Sequence, residues 1–180
     1  MTTTRKPDAI ALLKADHRKV EDLFEKFEKA KNGRTKEALA KEICMELTIH
    51  AIIEEEIFYP ACKDAVEEDL SAEAYVEHDG AKVLIAELEG SDPDNEFYDA
   101  KMSVLAEQIK HHVKEEEKPG DGFFAQARDA GIDMDALGDK LRARKQELLS
   151  QFKADGLPPP ETRSFTGHKM EQGEPVAMPG

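Results

Sequence analysis

The chain has 180 residues, enough for one domain with its own core, and carries 39 acidic against 25 basic residues for a formal net charge of −14. That balance argues against a nucleic-acid partner and suits a protein that attracts cations. No apolar run approaches a membrane span and residues 1–7 lack the apolar stretch of a secretory signal, so a soluble, cytoplasmic protein is expected, with Cys44 and Cys62 as reduced thiols.

Nothing alternates with period two, and apolar residues recur at spacings of three and four, so the expected class is all-α. Helix one should begin at Asp8, a capping residue just after Pro7, and present Ile10, Leu13, His17, Val20, Phe24 and Phe27 along one seam. Asn32-Gly33 is expected to end it. Helix two, about residues 35–59, carries the seam Ile43, Leu47, His50, Glu54 and Ile57; Pro60 ends or kinks it before a short continuation to about residue 69. Ser71 is the expected cap of helix three, whose seam is Ala74, His78, Ala81, Ile85 and Leu88. A turn at Gly90-Ser91-Asp92-Pro93 leads into helix four, about 94–118, which breaks at Pro119-Gly120-Asp121-Gly122.

Helix four holds two adjacent histidines, each with a glutamate four residues on. Tyr98, Met102, Leu105 and Ile109 continue at helical spacing to His112 and Glu116, whereas the row to His111 runs through Val104 and Gln108 and is less apolar. His112 and Glu116 are therefore the expected inward pair, with His111 at the edge. Phe123 and Phe124 should pack under the bundle, and a fifth helix, about 133–153, presents Met134, Leu137, Leu141, Leu148 and Phe152 as a packing stripe. Residues 1–153 thus read as one domain with its core at 8–118. Residues 154–180, with Pro158-Pro159-Pro160, read as a tail that is flexible or laid along the surface.

The inward histidines form an internal repeat. His17 precedes His50 by 33 residues, with Glu54 four further on; His78 precedes His112 by 34, with Glu116 four further on. Positions four apart share a helix face, so each HxxxE aims its imidazole and carboxylate the same way. Two such helix pairs would converge in an antiparallel up-down four-helix bundle. A lone seam histidine is usually a satisfied core residue, and a lone HxxxE is a weak signal. Four on four helices, two with inward glutamates, would bury many polar groups with few partners, a cost that a metal removes.

Imidazole with carboxylate suits iron, manganese or zinc. Two carboxylates among four imidazoles bridge two ions: His17 and His50 serve one, His78 and His112 the other, and Glu54 and Glu116 give an oxygen to each. About two of six positions per ion then remain for solvent or an exogenous ligand. The ferritin-like arrangement, with glutamate three residues before histidine, is excluded by Lys14, Leu47, Tyr75 and Ile109 at those places.

With ADHRKVEDLF around His17, HAIIEEEIFYP from His50, EHDGAKVLIAEL around His78 and HHVKEEE around His112, the chain resembles the bacterial hemerythrin-like (HHE cation-binding) proteins over about residues 8–152. The resemblance implies a hemerythrin-like bundle with an additional C-terminal helix. It also implies a non-haem centre of two Fe ions, oxo- or hydroxo-bridged, held by His17, His50, Glu54, His78, His112 and Glu116. Oxygen-carrying hemerythrins have a fifth histidine one turn from the helix-three ligand; here Ala74 and Lys82 stand at that distance from His78. Fewer protein ligands favour redox turnover over reversible oxygen carriage. The family's apolar-proline step after the second HxxxE is replaced by Lys118-Pro119.

Tyr59, five residues after Glu54, could reach the site as a hydrogen-bonding group or an oxidant-sensitive ligand, though a tyrosine that merely packs is commoner. Glu55, Glu56, Glu115 and Glu117 are expected to face water, and His168 has no company that would make it a ligand. The function expected is a di-iron protein handling dioxygen, nitric oxide or hydrogen peroxide in oxidative or nitrosative stress. If it is an enzyme, the reaction is catalase-like peroxide disproportionation or another di-iron oxidoreduction. The alternative is an iron store, donor or sensor without turnover, and a third reading is a structural zinc bundle. No membrane partner is expected, and a protein partner is left open.

Overall fold

The computed structural model describes residues 6–165, so His168 lies outside the described residues. Helix α1 (Ala9–Lys29) starts where expected, the Asp8 carboxylate accepting the Ala11 N–H at 2.8 Å. Helix α2 (Gly33–Ile53) passes into a π-helical turn (Glu54–Phe58) and a last short helix, α3 (Tyr59–Cys62). Then follow α4 (Glu68–Glu89), α5 (Tyr98–Glu116), α6 (Phe123–Asp129) and α7 (Met134–Asp155).

Several boundaries differ from the sequence reading. Asn32 does not close the first helix: its side chain accepts the Thr35 N–H at 2.8 Å and caps α2, because an Asx carbonyl serves an N-terminus better than a C-terminus. Ser71 is not a cap, since α4 begins three residues earlier at Glu68 and the Ser71 N–H donates into the helix to Glu67 O. Helix α5 begins at Tyr98 rather than near residue 94, because the Asp92 and Asn95 side chains accept the N–H groups of Asp94 and Phe97 and hold that stretch in turns.

Helices α1, α2, α4 and α5 form an antiparallel bundle in which α1 packs on α2, α4 on α5, α2 on α4 and α1 on α5. Helix α7 lies outside against α1 and α2. The expected seams of α1, α4 and α5 are buried. On α2 the seam holds through Glu54, but the π-turn then rotates the chain: Phe58 is fully buried and Ile57 only partly. Burying a phenylalanine this completely is worth about 1.5–3 kcal/mol, which helps offset the irregular turn.

The apolar core falls into two clusters. One, including Leu13, Ile53, Phe58, Phe123 and Leu141, sits where α6 and α7 join the bundle; the other, including Val20, Leu47, Ala81 and Ile109, fills its far half. His17 lies between Leu13 and Val20 in the chain, and His50 between Leu47 and Ile53, so the imidazoles occupy a polar layer between the clusters. Among the described residues no helix is long and apolar enough to cross a membrane.

Candidate metal centre

His17, His50, Glu54, His78, His112 and Glu116 meet in that layer, each at most 6% exposed. The Nε2 atoms of His17 and His50 stand 3.1 Å apart, and those of His78 and His112 3.2 Å apart. Each glutamate spans the two pairs. Glu54 Oε2 is 3.2 Å from His50 Nε2 and 3.4 Å from His78 Nε2; Glu116 Oε2 is 3.4 Å from His17 Nε2 and 3.5 Å from His112 Nε2. His111 is 57% exposed and pairs with Glu77 at 3.3 Å, as the apolar row through Ile109 requires.

The Nδ1 atoms face outward and explain the ring orientation. His17 Nδ1 meets Glu117 at 2.7 Å, His78 Nδ1 meets Glu55 at 3.0 Å, and His112 Nδ1 meets Glu77 at 2.8 Å. His50 Nδ1 lies 3.7 Å from Asp16 Oδ2, an ion-pair distance but not a hydrogen bond, and neither atom has another partner. Asp16 is held from behind by Lys145 of α7. A carboxylate faces each outer nitrogen, which orients the ring and turns Nε2 toward the centre.

Here the expectation that the flanking glutamates face water fails for two of them. Glu55 is buried, bonding His78 and, at 2.7 Å, Lys82; Glu117 is half-buried on His17 and Arg18. Glu56 is exposed, paired with Arg144 at 2.7 Å, and Glu115 is half-buried. The physical reason at Glu55 is the π-turn. Its extra residue lets consecutive side chains, Glu54 and Glu55, both reach His78, one at each ring nitrogen. The same turn settles Tyr59. Five residues along an α-helix is about 140° past a full turn, but an i→i+5 turn brings the fifth residue round to the first, and the Tyr59 N–H donates to Glu54 O. Its hydroxyl donates to Glu116 Oε1 at 2.9 Å and lies 3.3 Å from both Glu54 Oε2 and His78 Nε2.

The field in this layer favours positive charge. Burial alone would strip the proton from His50, but the charges of Glu54 and Asp16 outweigh it and push the imidazole up to about 10. At His78 burial is likewise outweighed by Glu54 and Glu55, which push it up to about 9. Glu54, despite complete burial, is held well below the carboxylate range by His50 and His78. Burial and the two glutamates push the Tyr59 phenol well above its ordinary value, so it stays a neutral donor.

The donor set fits a metal. Glu54 Oε1 and Glu116 Oε2 are buried without a hydrogen-bond partner. The Nε2 atoms face one another in pairs at 3.1 and 3.2 Å, and two nitrogens at right angles about 2.1 Å from one ion stand about 3.0 Å apart. His17, His50, Glu54 and Glu116 offer donor atoms within 4.8 Å of one another, as do Glu54, His78 and His112. A third group, Glu73, Glu77 and His111, lies at the surface.

The fold and this layer define a helical bundle built around a buried layer of histidines and carboxylates that could hold a cation. The family model described as Hemerythrin HHE cation binding domain matches residues 8–119, and the chain belongs to that family. A crystal structure of a hemerythrin HHE cation binding domain-containing protein from Mycobacterium kansasii superposes with a TM-score of 0.69 at 23% identity, covering 84% of this chain and 96% of that one; it shares the fold. A curated protein named DNA nickase, from Nostoc sp. (strain PCC 7120), is 27% identical over 106 residues, 59% of this chain but only 30% of the nickase.

Proposed function

We propose that this chain is a non-haem di-iron protein that binds or turns over dioxygen, nitric oxide or hydrogen peroxide in oxidative or nitrosative stress. The ligands in this reading are His17, His50, Glu54, His78, His112 and Glu116. The observation that carries it is that Oε2 of each inward glutamate lies within reach of an imidazole of both pairs, so each carboxylate stands where it could serve two ions. Iron, when bound, supplies reversible electron transfer and open positions for a small ligand.

The chain's own groups prepare the place. Asp16, Glu55, Glu77 and Glu117 hold the rings with Nε2 inward and raise their basicity. Tyr59 orients Glu116 and keeps a proton at the edge of the centre. Phe124 stacks on His17 at 5.8 Å and Phe123 lies 4.8 Å from Tyr59, excluding water from that side. Neither residue one turn from His78 supplies a further ligand: Ala74 is apolar and Lys82 is engaged by Glu55. Open positions on both ions favour turnover over carriage. The nickase's activity belongs to a protein mostly unmatched here, and a charge of −14 opposes binding to a phosphate backbone.

Metal content per chain, with the near-ultraviolet and visible spectrum before and after azide and peroxide, tests the reading. Two irons and absorption that shifts on adding azide are expected. One zinc with a featureless spectrum would sink the redox proposal.

A further inference from the structure

A cavity of about 590 Å³ opens from the imidazole layer between α2 and α4. A water molecule in the liquid occupies about 30 Å³, so this space exceeds the needs of a diatomic ligand or peroxide by more than an order of magnitude. It falls instead within the roughly 300–1,000 Å³ of sites that bury small organic molecules. Its walls include Val20, Leu47, Ile85, Ile109, Val113 and Leu157, and its floor includes all four inward histidines. The apolar walls offer water few hydrogen-bonding partners, so an apolar occupant would displace it at little cost.

The outer wall is the chain's own C-terminal segment, where Leu157, Pro158, Pro159 and Pro160 run along the cavity. That segment is tied down beyond the prolines. The buried Asp79 carboxylate accepts the N–H groups of Arg163 and Ser164 at 2.8 and 2.6 Å and the Ser164 hydroxyl at 2.6 Å. Lys82 donates to Glu161 O at 3.0 Å, and the Arg163 guanidinium lies 4.9 Å from the Tyr75 ring centre. The wall is therefore tied to α4 by these contacts.

We propose that this cavity binds an elongated, mainly apolar carboxylate of the medium-chain fatty acid class, its chain along α2 and α4 and its head at the imidazole floor. The assignment rests on the di-metal reading: ions held by the floor histidines would keep positions open to an oxygen anion, and the apolar walls would take its chain. Away from the floor the lining carries both signs, with Glu56 and Glu89 against Lys82 and Arg163, and Lys82 is already paired with Glu55.

The test uses the full iron-loaded chain with fluorescent cis-parinaric acid as the probe, displaced by decanoate or decanol. Saturable binding of one probe per chain is expected, with decanoate displacing it at least ten-fold more strongly than decanol. Metal-free protein should lose that preference. Ala86→Phe and Thr48→Phe add bulk at lining positions that are not among the six inward residues and should weaken the probe at least ten-fold, with helicity and iron content unchanged. Two irons per chain without saturable binding, or with binding that neither variant changes, overturns this proposal and leaves the metal reading intact. Failure to take up iron is the failure of the metal reading, and equal displacement by decanoate and decanol removes the carboxylate assignment.

Discussion

The two halves of the bundle are nearly alike at the centre and unlike outside it. Each contributes an imidazole pair with Nε2 atoms 3.1 or 3.2 Å apart and one glutamate that crosses to the other pair. The first half is braced from outside by α7. Gly138 brings that helix against the backbone of Asp8 and Ala9, Lys145 reaches Asp16, and Arg144 makes a two-pronged contact with Glu56. On the second half, Val76, Val83 and Val104 are 44–51% exposed, and Asp79 of α4 is held by residues 163 and 164. The shared interior reflects a charge requirement, since two buried carboxylates must be balanced by positive charge in the imidazole layer. The exterior has no such constraint, and each half is stiffened by whatever segment the chain lays against it.

The comparison breaks first at the crossing carboxylates. Glu54→Ala or Glu116→Ala should strip both positions, because each glutamate touches both pairs, whereas His17→Ala should leave about one ion on the second pair. Elemental analysis decides it: a glutamate variant that retains a full metal complement would separate the halves and remove the bridging geometry.

The outer carboxylates sharpen the contrast. Glu117→Gln and Glu77→Gln replace the charged partners of His17 and His112 with neutral amides, and each should weaken metal affinity about 10–100-fold in chelator competition. Asp16→Asn should cost less, because Asp16 stands 3.7 Å from His50 and makes no hydrogen bond to it.

Next comes the brace. A Cβ at Gly138 would lie 2.8 Å from Ala9 N and 2.9 Å from the Asp8 carbonyl carbon, both backbone atoms that cannot swing aside. Gly138→Ala should cost about 1–3 kcal/mol and lower the melting temperature by several degrees, without altering metal bound by the His78 and His112 pair. An unchanged melting curve would mean that α7 is not the support it is taken for.

The smallest effect concerns the thiols. Burial, aided at Cys44 by Glu89, pushes Cys44 and Cys62 from 9.0 up to about 12. A raised value in the fold means the neutral thiol is preferred, so this contribution to stability is complete below pH 9 and fades as pH rises toward 12. At pH 8 a disulfide reagent should label the native chain far more slowly than the denatured one, and denaturant midpoints should slip above pH 9. Rapid labelling of both thiols in the native state would contradict their burial.

Much of this was legible along the chain because helices turn position into direction. Apolar spacing placed His17, His50, Glu54, His78, His112 and Glu116 on inward faces, and separated His112 from His111. The repeat of 33 and 34 residues paired them across helices. What spacing could not supply was anything that depends on a departure from α-helical rotation or on a neighbour distant in the chain. The π-turn at Glu54–Phe58 buries Glu55 and delivers Tyr59 to both glutamates, and a periodicity of 3.6 hides it. A signal was present in EEEIFYP, where three carboxylates precede Phe58 and Tyr59, but it reads equally well as a solvated face.

The amino-acid sequence by itself determined the class of fold and the chemistry gathered at its centre, since both follow from the side chains that share a helix face. Only the tertiary structure decided which carboxylate steadies each imidazole, that α7 reaches Asp16 through Lys145, and that the C-terminal segment walls a cavity. Those are contacts between elements tens of residues apart, and their energies depend on distance and burial that no local pattern encodes.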